Sequence, residues 1–219
     1  MVRRERKSLA LIEGFIAFGA GYMLAVVLID MMPEVLTRDT GAAFYVLLGY
    51  FAVHLAQHVL VPHFHFGEET HPVSRSAGIS ALIGLLLHTF FDGVAIASGF
   101  IVSRSLGILL FIAVFLHKLP EGVTMASLMI AGGQSKGRAL AAASTLGLAT
   151  VVGVMLTEYT APLASHGLAI AAGVTLYVAA SNLVPEFQAK RVWWMPLAFF
   201  GGGAMFFLTR MVVEGWVGT

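Results

Sequence analysis

Apolar residues form seven long runs along the chain, separated by short stretches that are charged or rich in proline and glycine. A helix needs about 20 mostly apolar residues to cross the hydrocarbon of a bilayer. The pattern therefore predicts seven transmembrane helices, near residues 9–32, 42–61, 77–101, 105–131, 139–161, 166–185 and 192–213. The rest of the chain is short ends and loops, so we expect one transmembrane domain over residues 1–219.

The composition excludes a soluble globular protein. Of 219 residues, 58% are hydrophobic and 11% are charged, whereas a soluble domain carries about 25% charged residues. The absence of cysteine removes disulfides, iron–sulfur clusters and thiolate catalysis. A net charge of +1 gives no reason to expect nucleic acid as a partner, and we expect the lipid bilayer instead.

Lys and Arg in the short loops predict the orientation, because positively charged loops stay cytoplasmic. With the N-terminus inside, the inner side holds nine: Arg3, Arg4, Arg6, Lys7, Arg75, Lys136, Arg138, Lys190 and Arg191. The outer side holds three: Arg38, Arg104 and Arg210. We therefore expect an integral protein of a prokaryotic inner (plasma) membrane, with a cytoplasmic N-terminus and an extracytoplasmic C-terminus.

Two internal repeats relate pairs of spans. At an offset of 152 residues, Gly21, Leu24, Val26, Asp30, Pro33 and Glu34 match Gly173, Leu176, Val178, Asn182, Pro185 and Glu186. At an offset of 29, LHTFFDGVAIAS (87–98) matches LHKLPEGVTMAS (116–127). Each pair of spans crosses in opposite directions, which predicts an all-α bundle with inverted repeats, an arrangement typical of secondary transporters.

The shorter repeat places ionisable side chains near the middle of two spans. His88 and Asp92, and likewise His117 and Glu121, are four residues apart and share one helix face. Two facing helices would bring together two imidazoles and two carboxylates, a donor set that suits Zn, Fe, Mn or Co. Carboxylates are costly inside a bilayer and normally pair or serve function. The alternative is a polar network that only joins the helices.

Three further residues in these spans affect the helices themselves. Pro120 removes the helical donor of the Leu116 carbonyl. Gly93 and Gly122 follow the two acids directly and are predicted to let neighbouring backbones approach closely.

Polar residues also mark the ends of the first and sixth spans. Asp30 and Glu34 lie at the predicted outer end of the first span, and Asn182 and Glu186 at the predicted inner end of the sixth. We interpret them as an entrance and an exit for cations. The alternative is that these helix-end groups are simply solvated.

The predicted cytoplasmic loop 62–76 is rich in histidine. His63, His65 and His71 make it a metal-binding candidate by composition. An ordinary polar loop is the alternative.

Four segments carry a resemblance to the ZIP (Zrt/Irt-like protein) metal transporters, which covers about residues 9–213. HTFFDG and HKLPEG resemble the fourth- and fifth-helix signatures of that family, GYMLAVVLIDMMPE its second helix, and YVAASNLVPE its seventh. The resemblance implies a divalent-metal uptake protein whose central ligands match His88, Asp92, His117 and Glu121. It implies that Met23 matches a position that adds a weak thioether ligand in some members, although an ordinary packing role is equally open. It also implies that the His-rich loop receives metal leaving the pore.

The chain departs from the family pattern in three places. The family usually has eight helices, and the chain is expected to lack the first. Thr89 stands where an asparagine is usual, and Lys118 where an amide or acid often completes a second metal site. We therefore expect one bound metal, with the Lys118 ammonium as a substitute for the second cation, paired with Asp92 or Glu121. The alternative is that Lys118 extends along its helix to a membrane interface.

These observations predict a transporter, not an enzyme, that moves a divalent cation into the cytoplasm through a single intramembrane site. Zinc is the first expectation for the substrate, with iron, manganese and cobalt as alternatives. A homodimer is one expected assembly. Two other functions stay open: an intramembrane zinc metallohydrolase, since metal-bound water is a ready nucleophile, and a metal-sensing relative that does not transport.

Overall fold

The computed structural model of the chain describes residues 2–58, 75–188 and 192–217. Within these ranges, side chains are described from residue 10 onward, except at 58, 75–78, 80 and 186. Every regular element in the described ranges is helical, which agrees with the all-α prediction.

Two of the long helices contain a π-helical turn near their C-terminal end. The first runs from α1 (Val2–Val26) through a π segment (Val27–Met31) into α2 (Met32–Arg38). The second runs from α7 (Ala161–Tyr177) through a π segment (Val178–Leu183) into α8 (Val184–Gln188). The other helices are α3 (Ala42–His58), α4 (Arg75–Val102), α5 (Arg104–Ala131), α6 (Lys136–Tyr159) and α9 (Trp194–Val217).

Six helical segments in the described ranges are long and apolar enough to cross a membrane, which makes this an integral membrane protein. They are Ala10–Arg38, Ala81–Val102, Arg104–Ala131, Lys136–Tyr159, Ala161–Leu183 and Trp194–Val217. The remaining predicted span, the second along the chain (42–61), corresponds to a shorter apolar helix, Ala42–Gln57.

Several helices extend beyond the spans that hydropathy predicts. The first continues to Arg38 and not 32, α7 begins at Ala161 and not 166, and α9 continues to Val217 and not 213. The reason is that helical hydrogen bonds continue into the polar region beyond the apolar run. Pro162 fits the first turn of α7, where a backbone N–H would have no helical acceptor.

Helices α4 and α5 lie at the centre of the bundle. Helix α4 packs against α5, α6 and α7, and α5 also packs against α1, α6 and α9. At the α4–α6 contact, a Cβ at Gly93 would collide with the Thr150 carbonyl, so the two backbones are in direct contact. The matching prediction for Gly122 is wrong, because in the described ranges no atom of another helix lies within 4 Å of where its Cβ would be. Gly122 faces away from the neighbours of α5.

The outer pairs of helices, α1 with α9 and α7 with α3, also pack through glycine. In each pair, both helices place a glycine against a backbone carbonyl of the other, where any Cβ would collide. The contacts are Gly21 on Phe199 and Gly202 on Phe18 in the first pair, and Gly173 on Val46 and Gly49 on Ile170 in the second.

Candidate metal centre

Helices α4 and α5 bring the four central side chains of the sequence prediction together. His88 and Asp92 lie on α4, and His117 and Glu121 on α5. One ligand atom from each lies within 4.8 Å of the others. All four residues are buried, with exposures of 2–4%. The i, i+4 spacing of each pair places both side chains on the face that meets the other helix.

The Asp92 carboxylate is the point at which both imidazoles meet. Its Oδ2 lies 3.3 Å from Nε2 of His88 and 3.3 Å from Nε2 of His117. Glu121 completes the cluster, with Oε1 3.8 Å from His88 Nδ1. The two imidazole rings lie close to parallel, 5.6 Å apart between centroids and inclined by 30°.

One hydrogen bond fixes the orientation of the His117 ring. His117 Nδ1 lies 2.8 Å from the Ala113 carbonyl oxygen, one turn earlier on α5. A carbonyl oxygen only accepts, so Nδ1 donates the proton. A bond of this kind commonly holds a metal-ligating histidine, and it leaves Nε2 available as the ligand atom.

Buried polar atoms without hydrogen-bond partners indicate that the cluster can take a further ligand. Among the described residues, neither ring nitrogen of His88 makes a hydrogen bond and Glu121 Oε1 makes none, whereas Glu121 Oε2 lies 2.9 Å from Lys118 Nζ. Leaving such groups unsatisfied in the interior costs about 1–3 kcal/mol each, and more when they are charged. A cation bound between them would satisfy one ring nitrogen of His88 and the Glu121 carboxylate together.

Lys118 lies directly against the acidic side of the cluster. Its Nζ is 2.6 Å from Asp92 Oδ2 and 2.9 Å from Glu121 Oε2, and its side chain is 20% exposed. The ammonium therefore contacts both carboxylates. The Lys118 side chain points into the cluster and does not extend to a membrane interface.

The donor set and its dimensions suit a divalent ion. A tetrahedral ion with bonds of about 2.0–2.2 Å places its ligand atoms about 3.3–3.6 Å apart. The four side chains here, with ligand atoms up to 4.8 Å apart, need to move by only about 1 Å to reach that spacing. Two nitrogen and two oxygen donors are compatible with Zn, Fe, Mn or Co.

Two neighbouring residues that the sequence singles out stand outside this cluster. Thr89 is fully buried, and its hydroxyl donates to the Leu86 carbonyl oxygen at 3.1 Å. Met23 is buried in the apolar core on α1, one helical turn after Gly19, which lies against His117. Ligation by Met23 stays a prediction.

The residues predicted as an entrance lie in a polar pocket. Asp30 Oδ1 is 3.3 Å from the Arg210 guanidinium of α9, and Glu34 pairs with Arg38. Asp30, Glu34 and Arg210 all line a cavity of about 300 Å³ beside the connection between α4 and α5.

The residues predicted as an exit are described only in part. The Asn182 amide donates to Gln57 Oε1 of α3 at 3.0 Å. A cavity of about 10 Å³ is lined by Asn182 together with His88, His117 and Glu121 of the centre. The Glu186 side chain and the loop residues His63, His65 and His71 lie outside the described residues.

The sequence alone assigned no role at these ends to three polar residues: Gln57, Arg210 and Glu214. Arg210 Nε is 2.9 Å from Glu214 Oε1, an i, i+4 pair that the spacing alone could have indicated. Gln57 is a polar residue within an apolar run of the sequence, and that pattern could have indicated a functional residue. In the structure Gln57 is buried.

The fold and the site together define an all-helical integral membrane protein with a buried histidine–carboxylate centre between two spanning helices. A model of the ZIP Zinc transporter family matches residues 68–210, more than half of the chain and all four central side chains. The chain therefore belongs to the ZIP zinc transporter family, whose members transport divalent metal ions and are not enzymes. A comparison with curated proteins finds no match.

Proposed function

We propose that this protein moves one zinc ion at a time into the cytoplasm through the centre formed by His88, Asp92, His117 and Glu121. The observation that carries the proposal is the convergence of four buried ligand atoms between two spanning helices. Within the described residues, both ring nitrogens of His88 and Oε1 of Glu121 make no hydrogen bond, which favours an ion ligand over a network that only joins helices. Carboxylates at this depth are expected to be functional.

The charge of Lys118 supports the proposal that the centre binds a single ion. Asp92 and Glu121 contribute a formal charge of −2, and the ammonium that contacts both reduces it to −1. One divalent ion brings the centre to +1, and a second would bring it to +3 in a medium of low dielectric constant. The ammonium thus serves as a tethered substitute for a second cation.

Zinc is proposed as the substrate because the family is one of zinc transporters and because the donors suit it. Imidazole and carboxylate bind zinc well, and the chain has no thiolate that would favour a softer ion. Iron, manganese and cobalt accept the same donors and are the ions to compare in a competition assay.

The two ends of the proposed route differ in the number of carboxylates, with two at the entrance and one at the exit. Asp30 and Glu34 form the entrance, and Asn182 and Glu186 the exit. Asp30 is 11 residues beyond Gly19, which contacts His117, so it lies roughly 16 Å along the helix from the centre. The cavity of about 10 Å³ between the centre and Asn182 supports a route toward that end, and Ile16 and Val178 also line it.

A seven-span bundle with inverted repeats is part of the proposal. The two π segments end at Met31 and Leu183, which are 152 residues apart, the same offset as in the sequence repeat. The first π segment packs against α7 and the second against α1. Reciprocal packing of this kind is what two antiparallel helices produce.

The size of the cavity at the centre favours transport over hydrolysis. A volume of about 10 Å³ accommodates about one water molecule. A metallohydrolase needs additional space beside the metal for its substrate, and the described residues leave none there.

The test is zinc uptake into proteoliposomes that contain a zinc-sensitive dye. The wild-type protein should take up zinc, while Asp92→Asn and Glu121→Gln should fall to the rate of empty liposomes. Glu158→Gln is the matched control, because Glu158 is a carboxylate at the exposed end of α6. Size-exclusion chromatography shows whether each variant is folded. Wild-type rates in both central variants would refute the site, and zinc binding without uptake by the wild type would favour a sensor.

A further inference from the structure

The two ends of the bundle are joined by polar contacts at equivalent positions. At one end, Asp30 in the first π segment pairs with Arg210 of α9 at 3.3 Å. At the other end, Asn182 in the second π segment donates to Gln57 of α3 at 3.0 Å. Each contact joins a π segment to the helix that packs alongside it.

The equivalence follows from position in the chain. Asp30 and Asn182 are 152 residues apart, and Gln57 and Arg210 are 153 apart. The glycine contacts of the same helix pairs have the same offsets, with Gly21 and Gly173 152 apart and Gly49 and Gly202 153 apart. The two contacts are therefore one interaction in two chemical forms, an ion pair and a neutral amide hydrogen bond.

Each contact leaves one buried atom without a partner among the described residues. At the charged end this atom is Asp30 Oδ2, on a side chain that is only 10% exposed. At the neutral end it is Gln57 Nε2, on a residue that is 2% exposed. A free carboxylate oxygen attracts a cation, whereas a free amide N–H repels one.

Asp30 lines a cavity of about 300 Å³, which we call the Asp30 pocket. Glu34, Glu214, Ser103 between α4 and α5, and Ser105 at the start of α5 also line it. Arg210 Nε is 2.9 Å from Glu214 Oε1 as well. The guanidinium can therefore leave Asp30 and keep a carboxylate partner.

We propose that the Asp30 pocket is a second divalent-cation site, distinct from the central one, in which the Arg210 guanidinium occupies the cation position against Asp30 until an incoming ion displaces it toward Glu214. Arg210 acts as a built-in competitor that keeps the site weak, so that an ion bound there can move on. The inference uses the proposed function only for the identity of the ion.

The comparison of the two polar contacts explains why the two ends of the bundle differ in their affinity for cations. The Gln57–Asn182 contact has no carboxylate and presents a donor, so it does not retain a cation. An ion is held briefly at the Asp30 end and released at the Asn182 end. The repeat supplies the same scaffold twice, and the residues of the two contacts give its copies different affinities for cations.

Binding of Zn²⁺ alone to the purified full chain tests the site, measured by calorimetry. The background is Asp92→Asn with Glu121→Gln, which weakens the central site while preserving side-chain shape. A weak site that depends on Asp30 should remain. Asp30→Asn should abolish it, and Arg210→Gln should tighten it by about tenfold or more, because the competing charge is gone.

A swap variant separates binding from folding. Asp30→Asn with Arg210→Gln copies the Asn182–Gln57 pair into the Asp30 end, and it should keep the melting temperature of the background while losing the weak site. The inference is wrong if no weak site remains in the background, if Asp30→Asn leaves that site intact, or if Arg210→Gln does not tighten it. Normal zinc uptake by the wild type, together with no weak site in the background variant, would refute this inference alone. A weak site in the background variant, together with no uptake by the wild type, would refute only the proposed function.

Discussion

The Lys118 ammonium lies 2.6 Å from Asp92 Oδ2, although the two residues are 26 positions apart and on different helices. The same ammonium reaches Glu121, one turn along its own helix, at 2.9 Å. A single positive charge therefore lies between the two carboxylates of the centre. We propose that its position limits how many additional cations the centre can hold.

Replacing Lys118 should change the number of bound metals. A unit charge repels a divalent ion about 4 Å away by about 8 kcal/mol at an effective dielectric constant of about 20. Lys118→Asp removes this repulsion and adds a ligand, so the metal content should rise from one toward two per chain. Elemental analysis of the purified protein measures it.

The matched control is Lys118→Gln, which removes the charge without adding a carboxylate. It should bind one ion, more tightly than the wild type. An unchanged content of one metal in Lys118→Asp would show that the ammonium does not substitute for a cation.

Adding a methyl group at Gly93 should destabilise the bundle. The new Cβ would collide with the Thr150 backbone carbonyl, which cannot rotate away, so α4 and α6 must separate. Overpacking of this kind costs about 1–3 kcal/mol. The melting temperature of Gly93→Ala in detergent should fall by several degrees.

Gly122→Ala is the control at the repeat-equivalent position. No described atom of another helix lies within 4 Å of its added Cβ, and alanine favours a helix over glycine by about 1 kcal/mol. This variant should melt at or above the wild-type temperature. Equal losses in both variants would contradict the packing argument.

Thr89 should contribute little to metal binding. Its hydroxyl donates to the Leu86 carbonyl within its own helix. Thr89→Val preserves shape and removes only this bond, so zinc affinity measured by calorimetry should stay within about twofold of the wild type. A tenfold loss would mean that the hydroxyl turns toward the ion when one binds.

The orientation of the chain can be tested with accessible tags. Nine Lys and Arg residues against three predict that the N-terminus and the 62–76 loop are cytoplasmic and that the C-terminus is extracytoplasmic. Impermeant labelling of intact cells should reach a C-terminal tag and neither of the others. Labelling of an N-terminal tag would reverse the entrance and the exit.

Much of the centre could be predicted from the sequence because it depends on local periodicity. The spacing of His88 and Asp92, and of His117 and Glu121, places each pair on one face of whatever helix contains it. The cost of ionisable groups in a bilayer then implies that the two faces meet. Hydropathy likewise predicts that the chain spans a membrane, because that property adds up along consecutive residues.

Only the tertiary structure shows which side chains of distant segments are in contact. The Arg210 partner at Asp30, the Gln57 partner at Asn182, and the Lys118 contact with both acids each depend on the distance and rotation of two packed helices. The wrong prediction for Gly122 has the same origin, since its sequence context matches that of Gly93 and only the neighbouring helix differs. Local sequence fixes the face of a helix on which a side chain lies, whereas its partner is set by packing between helices.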